Sequence, residues 1–441
     1  MKQKEALFWI WLAEALGAAN RDFRKLISLY DSPYEIFHLD DDEIERIDGI
    51  SERTYRALCD KSLQRATEVL SDCEALGIRI LPYRTPEYPY ALYDLQAPPI
   101  VLYCLGELPE DFDRKLSIGM VGTRKMSEYG LYSAYKIAYE LASAGVVIVS
   151  GMAAGIDGVS AAAALAAGGK TIAILGCGLD EVYPRHHKKL RDEIARHGAL
   201  LSEYPPKTRP NHYHFPIRNR LISGISQGTL VVEAGIGSGS LITAKDAILQ
   251  GRDVFALPAN VGSRGSEGTN GLLRDGANLV LDARDILNRY LYTHTPSLKM
   301  ETLSKIGKRS RADLELLDRL GVIQLIRKKN AEEEKSPTAK APAADPPRTP
   351  RKRRTATPAP SKEETPPLPP PRPAEKSPDE VLSTLSDVQR AILEAMPDDR
   401  AVSAEALAGL GYPYHEISSA ITMLEILGLV QKLPGALYTK T

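Results

Sequence analysis

Ser117-Ile-Gly-Met-Val-Gly-Thr-Arg-Lys-Met-Ser127 joins a short apolar run to a glycine, two cations and a hydroxyl, just ahead of the amphipathic segment Tyr129 to Ala144. Strand, turn and helix follow each other in that order. The same unit recurs downstream. Val146 to Ser150, Thr171 to Leu175, Ala199 to Ser202, Thr229 to Glu233, Asp253 to Leu257 and Asn278 to Leu281 are short runs rich in Val, Ile or Leu, with helical stretches such as Leu190 to His197 between them. Runs without polar alternation are strands buried on both faces. The sequence therefore predicts an α/β domain, a Rossmann-like doubly wound parallel sheet, over residues 80–290. Ligands of such sheets sit beyond the carboxyl ends of the strands.

Around this centre the chain divides into further regions. Residues 1–75 read as a small helical domain, with Phe8, Trp11, Leu12 and Leu16, then Leu26, Ile27, Leu29 and Tyr30, at helical spacing. Within it, Leu39 to Leu58 contains Ile47-Asp-Gly-Ile50, a helix-hairpin-helix-like segment able to offer backbone amides to a phosphate. Its neighbours are acidic (Asp40, Asp41, Asp42, Glu43, Glu45, Asp48), which favours packing or protein contact over DNA. The order of residues 291–336 is open, with Leu314 to Ile326 able to add a helix and a strand but pointing to no function. Residues 337–378 hold fourteen of the thirty-one prolines and read as a disordered linker, with a basic run Arg351-Lys-Arg-Arg354. Residues 381–441 read as a winged helix, three helices and a hairpin turned at Pro434-Gly435. Its four cations stand against seven acids, and its recognition helix carries Glu416 and Glu425 without Lys or Arg, the reverse of a major-groove reader.

Composition narrows the function. The net charge of −1 removes a global basic field, so any nucleic-acid contact must come from a local patch. Cys59, Cys73, Cys104 and Cys177 lack CxxC pairing, which argues against zinc and against a disulfide framework. The N-terminal apolar run is broken by Glu14, Arg21 and Asp22 before it could span a membrane, and no small-residue cleavage site follows; the expectation is a cytoplasmic protein without membrane contact.

The local patch is Ser202-Glu-Tyr-Pro-Pro through His214-Phe-Pro-Ile-Arg-Asn-Arg220, which crowds cations, rings and amides onto one loop and helix start. Arg218, Asn219 and Arg220 can donate to phosphate oxygens, while Phe215 and Tyr213 offer faces to bases. Gly122, Arg124 and Ser127 stand where backbone amides at a helix start favour an anion. Ser238, Gly239 and Ser240 form a second such turn, and Lys170 adds a cation. The bland alternatives are capped helices and solvated basic faces: Asp157 reads first as a helix cap, the His186-His187-Lys-Lys run as a solvated face, and Glu203 and Glu233 as braces for nearby arginines. Neither the dinucleotide fingerprint, the phosphate-binding P-loop nor the Gly-x-Ser-x-Gly elbow is met. The expectation is a binder, not an enzyme, with no catalytic residue, metal or cofactor.

Seven ordered blocks carry a resemblance: Val121-Gly-Thr-Arg124; Ser150-Gly151 with Gly155-Ile-Asp157; Gly178-Leu-Asp180 with Tyr183-Pro184; Ser202-Glu-Tyr204; Phe215-Pro-Ile-Arg-Asn-Arg220; Glu233-Ala with Ser238-Gly-Ser240; and Gly251-Arg252. Over Tyr83 to Leu287 the chain resembles the DNA-processing protein A family. That resemblance implies a single-stranded DNA groove using Arg124, Lys170, Phe215, Arg218 and Arg220. It also implies delivery of the strand to the RecA recombinase in natural transformation or recombination, a homodimer through the Rossmann-like domain, and a winged helix of variable role. Ala161, His187 and Ala259 depart from the family pattern, where His, Asn and Gly are usual. The competing class is a phosphoribohydrolase-like nucleotide enzyme on the same architecture, but Gly235 to Thr243 lacks the trailing glutamate of that loop.

Overall fold

The computed structural model describes residues 3–263, 265–294, 298–305 and 311–323, and in the C-terminal part 385–397, 402–403, 406–412, 417, 420, 421, 424, 429–433 and 437–440. Two compact units result, divided between Ala341 and Pro342. The stretch expected as a linker lies outside the described residues, as does most of the helix expected at 415–427.

The first unit opens with six helices: α1 (Gln3–Leu16), α2 (Asp22–Leu29), α3 (Pro33–His38), α4 (Asp41–Glu45), α5 (Glu52–Cys59) and α6 (Gln64–Leu76). Local chemistry sets their ends. Asp40 and Glu43 form a reciprocal capping box on α4, Ser51 caps α5, and Gly77 ends α6 at φ 65°, a conformation open to glycine without a Cβ penalty. The turn between α4 and α5, with Gly49 at φ 70°, is the helix-hairpin-helix-like segment. Its Ser51 amide already donates to Asp22 at 3.0 Å, so a carboxylate of the chain itself stands where a phosphate would have to sit. The apolar faces of these helices are continuous with the sheet: one cluster runs from Ile10 and Trp11 through Leu81 and Tyr103 into the sheet interior.

The sheet has nine strands: β1 (Arg79–Pro82), β2 (Val101–Gly106), β3 (Ser117–Val121), β4 (Val147–Ser150), β5 (Thr171–Leu175), β6 (Ala199–Ser202), β7 (Gly228–Val231), β8 (Asp253–Ala256) and β9 (Asn278–Leu279). Their order is β1-β2-β6-β5-β4-β3-β7-β8-β9. From β6 to β9 all neighbours are parallel, while β2 adds to β6 antiparallel and β1 to β2 antiparallel. Helices α7 (Glu128–Ser143), α8 (Ile156–Ala166), α9 (Lys188–His197), α10 (His214–Gly224), α11 (Gly239–Leu249), α12 (Glu267–Arg274) and α13 (Ala283–His294) alternate with the strands. Every residue of β3 and β5 is buried, as an unalternating apolar run requires. From β3 the chain winds outward through β4, β5 and β6, then returns and winds the other way through β7, β8 and β9. The crevice of such a sheet lies where that direction reverses, beyond the ends of β3 and β7.

Residues 298–305 and 311–323, whose order the sequence leaves open, pack back onto the first unit. Lys299 N donates to Ala144 O at 2.9 Å, Tyr135 Oη donates to Asp313 at 2.8 Å, and Leu317 of helix α14 (Arg311–Arg319) and Leu320 just after it are buried in the same core. The second unit has helix α15 (Asp387–Ala395), capped by Ser386 and Gln389, and a three-stranded sheet of β10 (Val402–Ser403), β11 (Val430–Leu433) and β12 (Leu437–Lys440). Leu385, Ile392, Met396, Ile417, Ile421 and Leu424 form its own core. This is the winged helix expected there. No helix among the described residues is long and apolar enough to cross a membrane.

Candidate nucleic-acid interface

Loops leaving β3, β4, β5 and β7 enclose a pocket of about 520 Å³ at the carboxyl ends of the strands. Gly122 and Arg124 come from the loop after β3, Ala153 from that after β4 and Asp157 from the start of α8. Tyr183 comes from the segment after β5, and Phe215, Arg218 and Asn219 from the first turns of α10. Ser238, Gly239, Ser240 and Thr243 bring the start of α11. Eight of the expected site residues therefore share one concavity although in sequence they run from Gly122 to Ser240.

Missing side chains make room for the ones that matter. A Cβ on Gly151 would stand 2.6 Å from Arg218 Nη1 and Nη2, and one on Gly176 would stand 3.0 Å from the Phe215 ring. A Cβ on Gly155, at φ 85°, would strike the backbone of Thr123 and Arg124. These three glycines let α10 and the Arg124 loop close over the strand ends.

Arg124 is exposed, and among the described residues it forms no salt bridge. Its guanidinium carbon lies 5.5 Å from the centre of the Phe215 ring. Phe215 stacks on Tyr183 with centroids 5.1 Å apart at 29°, so Tyr183, 37% exposed, presents the outer face of the pair. Tyr213, 68% exposed, stands just before α10 with His212 against it. Tyr183 was not singled out as a contact residue from sequence, yet the loop after a central parallel strand always ends at the groove, and that signal was available.

Arg218 departs from the expectation of a free phosphate ligand. It is buried, with Nη1 donating to Gly151 O at 2.9 Å and to Ile174 O, and Nε to Asn219 Oδ1 at 3.2 Å. Its guanidinium ties the ends of β4 and β5 to α10. Burial lowers its pKa, partly offset by the Asp157 carboxylate. Burial likewise raises that of Asp157, offset by Arg218 and by backbone donors. Asp157 accepts from Gly151 N at 3.0 Å and so orients the loop after β4; it does not cap α8, whose N-cap is Gly155.

Arg220 lies outside the pocket lining. Its Nη2 reaches Glu203 Oε1 at 2.7 Å and Oε2 at 2.6 Å, in surroundings that leave the two side chains 14% and 6% exposed. The brace expected of Glu203 is present. Glu233 instead accepts from Ser127 N at 2.9 Å, holding the turn before α7 and no arginine. Ser127 caps α7 through Gly130 N, and Ser238 caps α11 through Ser240 N. Lys170 directly precedes β5, its carbonyl accepting from Ile148 N. It is at the amino end of the parallel strands, across the sheet from the pocket, and does not share the groove expected for it. A parallel strand separates its two ends by its whole length, about 3.3 Å per residue.

The histidine run is also corrected. His187 is fully buried, its Nδ1 3.1 Å from Met152 O and its Nε2 without a hydrogen-bond partner among the described residues, and burial pushes its pKa down to about 4. It packs where Gly158 has no Cβ. A histidine buried neutral is protonated more readily in the unfolded chain, so its stabilisation is complete above pH ~6.5 and is lost as pH falls toward the folded pKa. Between those values stability should drop by about 1.4 kcal/mol per pH unit from this one group. Thermal melts should show the gap between wild type and His187→Asn change steadily across that acid range and stay constant above neutrality; parallel profiles would assign the acid sensitivity elsewhere. Among the described residues no cluster of three or more His, Cys, Asp or Glu side chains is placed to hold a metal ion.

Comparison with known proteins bears on this site. Residues 79–291 match the family model described as DNA recombination-mediator protein A, and residues 365–436 that of the DprA winged helix domain, which begins inside the stretch expected as linker. The DNA processing protein DprA of Bacillus subtilis is 42% identical over 218 residues, 49% of this chain and 73% of that protein. Its counterpart in Streptococcus pneumoniae is 42% identical over 203 residues, 46% and 71% of the two chains. The X-ray structure of DNA processing protein A from S. pneumoniae superposes with a TM-score of 0.57 at 34% identity, covering 64% of this chain and 97% of that one.

Proposed function

The chain belongs to the DNA recombination-mediator protein A family, and from that premise we propose that it binds single-stranded DNA in the pocket beyond β3 and β7 and passes the strand to a RecA-type recombinase. The observation that carries this reading is the grouping of the unpaired cation Arg124 with the Tyr183–Phe215 stack at one rim. A charge for a phosphate beside a ring for a base is what a strand with unstacked bases needs, and a duplex keeps its bases out of reach. Lys170 and Arg220 are not carried into the site.

The pocket hydroxyls favour binding over chemistry. Ser238 Oγ is engaged as a helix cap with Ser240, and among the described residues neither a histidine nor a carboxylate is hydrogen-bonded to it as a base. The reading includes a second copy of the chain and an intracellular site of action, where a recombinase and its substrate meet.

Anisotropy with labelled oligonucleotides tests it. Arg124→Ala should weaken binding of single strands and reduce the slope of log affinity against log salt by about 0.7, one phosphate contact. Phe215→Ala should cost roughly 1–3 kcal/mol for every base composition alike. Equal affinity for duplex and single strand, or an unchanged slope in Arg124→Ala, would reject the assignment.

A further inference from the structure

Away from the strand ends, α2 and the loop after β1 form a second concavity of about 520 Å³. Arg24, Lys25 and Ser28 line it from α2, with Tyr83 and Arg84 from the loop. Its lining has three cations and no acid. Among the described residues none of the three cations forms a salt bridge. Two carboxylates of the flanking segments accept hydrogen bonds from backbone and hydroxyl donors. Asp22 accepts from Ser51 N at 3.0 Å, Ser51 Oγ at 2.8 Å and Thr54 Oγ1 at 2.7 Å, and Asp113 accepts from Tyr90 N at 3.0 Å.

The cations are also positioned. Arg24 Nη2 donates to Tyr93 O, and the Arg84 guanidinium carbon lies 5.8 Å from the Tyr83 ring centre. Lys25 Nζ rests against Gly49, where a Cβ would come within 2.9 Å. Arg84 holds φ 68°, in the left-handed region that disfavours a residue with a Cβ. The Asp22 carboxylate offsets part of the Lys25 charge, but three like charges gathered at one hollow still repel one another, and an anion seated among them removes that cost.

We propose that this concavity is a second phosphate site for the same DNA strand. The loop between β1 and β2, which supplies Tyr83 and Arg84, is tied farther along to the helix that carries Phe215 and Arg218: Arg252 Nη2 donates both to Ala91 O, at 3.1 Å, and to Gly224 O at the end of α10, at 3.2 Å. Tyr90, 67% exposed, stands on the same loop as a face for an unpaired base. A cationic hollow beside an exposed ring fits a nucleic-acid backbone better than an acidic peptide, which has no bases to stack.

The inference rests on the single-strand reading above, and oligonucleotides of increasing length separate the two. The comparison is between the full chain and Lys25→Gln/Arg84→Asn, asparagine being among the residues that most readily adopt positive φ; thermal melts verify that the variant is folded. Short oligonucleotides, filling only the pocket beyond β3 and β7, should bind both proteins equally. Long ones should bind the variant about tenfold more weakly, with a salt slope smaller by about 1.4, two phosphate contacts. Equal affinity and slope for long strands would overturn the second site while leaving the first in place. Failure of wild type to bind even short strands would overturn both. Polyglutamate captured by wild type but not by the variant, with DNA binding unchanged, would assign the hollow to an acidic protein instead.

Discussion

Arg218→Ala should lower the stability of the first unit by about 3–5 kcal/mol, a larger effect than any loss of DNA contact would explain. The guanidinium is buried and supplies Gly151 O and Ile174 O, so truncation leaves two carbonyls of adjacent strand ends without their donor. Each buried group so orphaned costs roughly 1–3 kcal/mol. It also removes the positive charge that offsets the buried Asp157 carboxylate. Arg218→Lys should recover only part of the loss, because one ammonium cannot reproduce the planar fork that reaches both carbonyls and Asn219. Both tryptophans, Trp9 and Trp11, lie in α1, whose core is continuous with the sheet, so urea titration followed by their fluorescence reads this unit. Arg124→Ala, by contrast, should leave the midpoint unmoved, since that side chain is exposed. An unshifted midpoint for Arg218→Ala, together with weaker DNA binding, would return Arg218 to the role of a direct phosphate ligand.

The contrast between these two arginines shows what was legible in the sequence. Residue type and spacing place both beside the strand ends, because a turn after a buried strand has only one place to go. They do not say which cation turns inward. That is decided by Gly151, whose missing Cβ admits the Arg218 guanidinium, and by carbonyls brought together only when β4 and β5 pair. The parallel strands could be read because each is an apolar run long enough to be buried on both faces. Strands β1 and β2 escaped notice although Val101-Leu-Tyr-Cys-Leu is such a run; they add antiparallel at the edge, outside the strand-helix alternation that identified the others. Lys170 was misplaced for a simpler reason. Its position directly before β5 puts it at the amino end of a parallel strand, and only the polarity of the sheet, not the charge of the residue, decides whether it faces the groove.

Arg220 and Glu203 give the second large effect, with a signature that depends on pairing. The carboxylate accepts twice from Nη2 and once, at 3.2 Å, from the amide of Ala19, so it joins α10 to the link between α1 and α2. Both side chains are nearly buried, yet among the described residues Arg220 Nε and Nη1 have no hydrogen-bond partner. An ion pair so placed has lost its water and is only partly compensated. Removing either partner alone leaves an uncompensated charge, and Arg220→Ala or Glu203→Ala should each cost about 3–5 kcal/mol. Replacing both by apolar side chains of similar size, Glu203→Leu with Arg220→Met, should cost much less than the sum of the single changes, because the unpaired nitrogens disappear with the charge. The double variant also tests the functional assignment. With the fold restored and no charge at position 220, single-strand affinity and its salt slope should match wild type, since Arg220 faces Glu203 and not the pocket. A folded double variant with a slope reduced by about 0.7 would show that Arg220 leaves its carboxylate to meet a phosphate when DNA arrives.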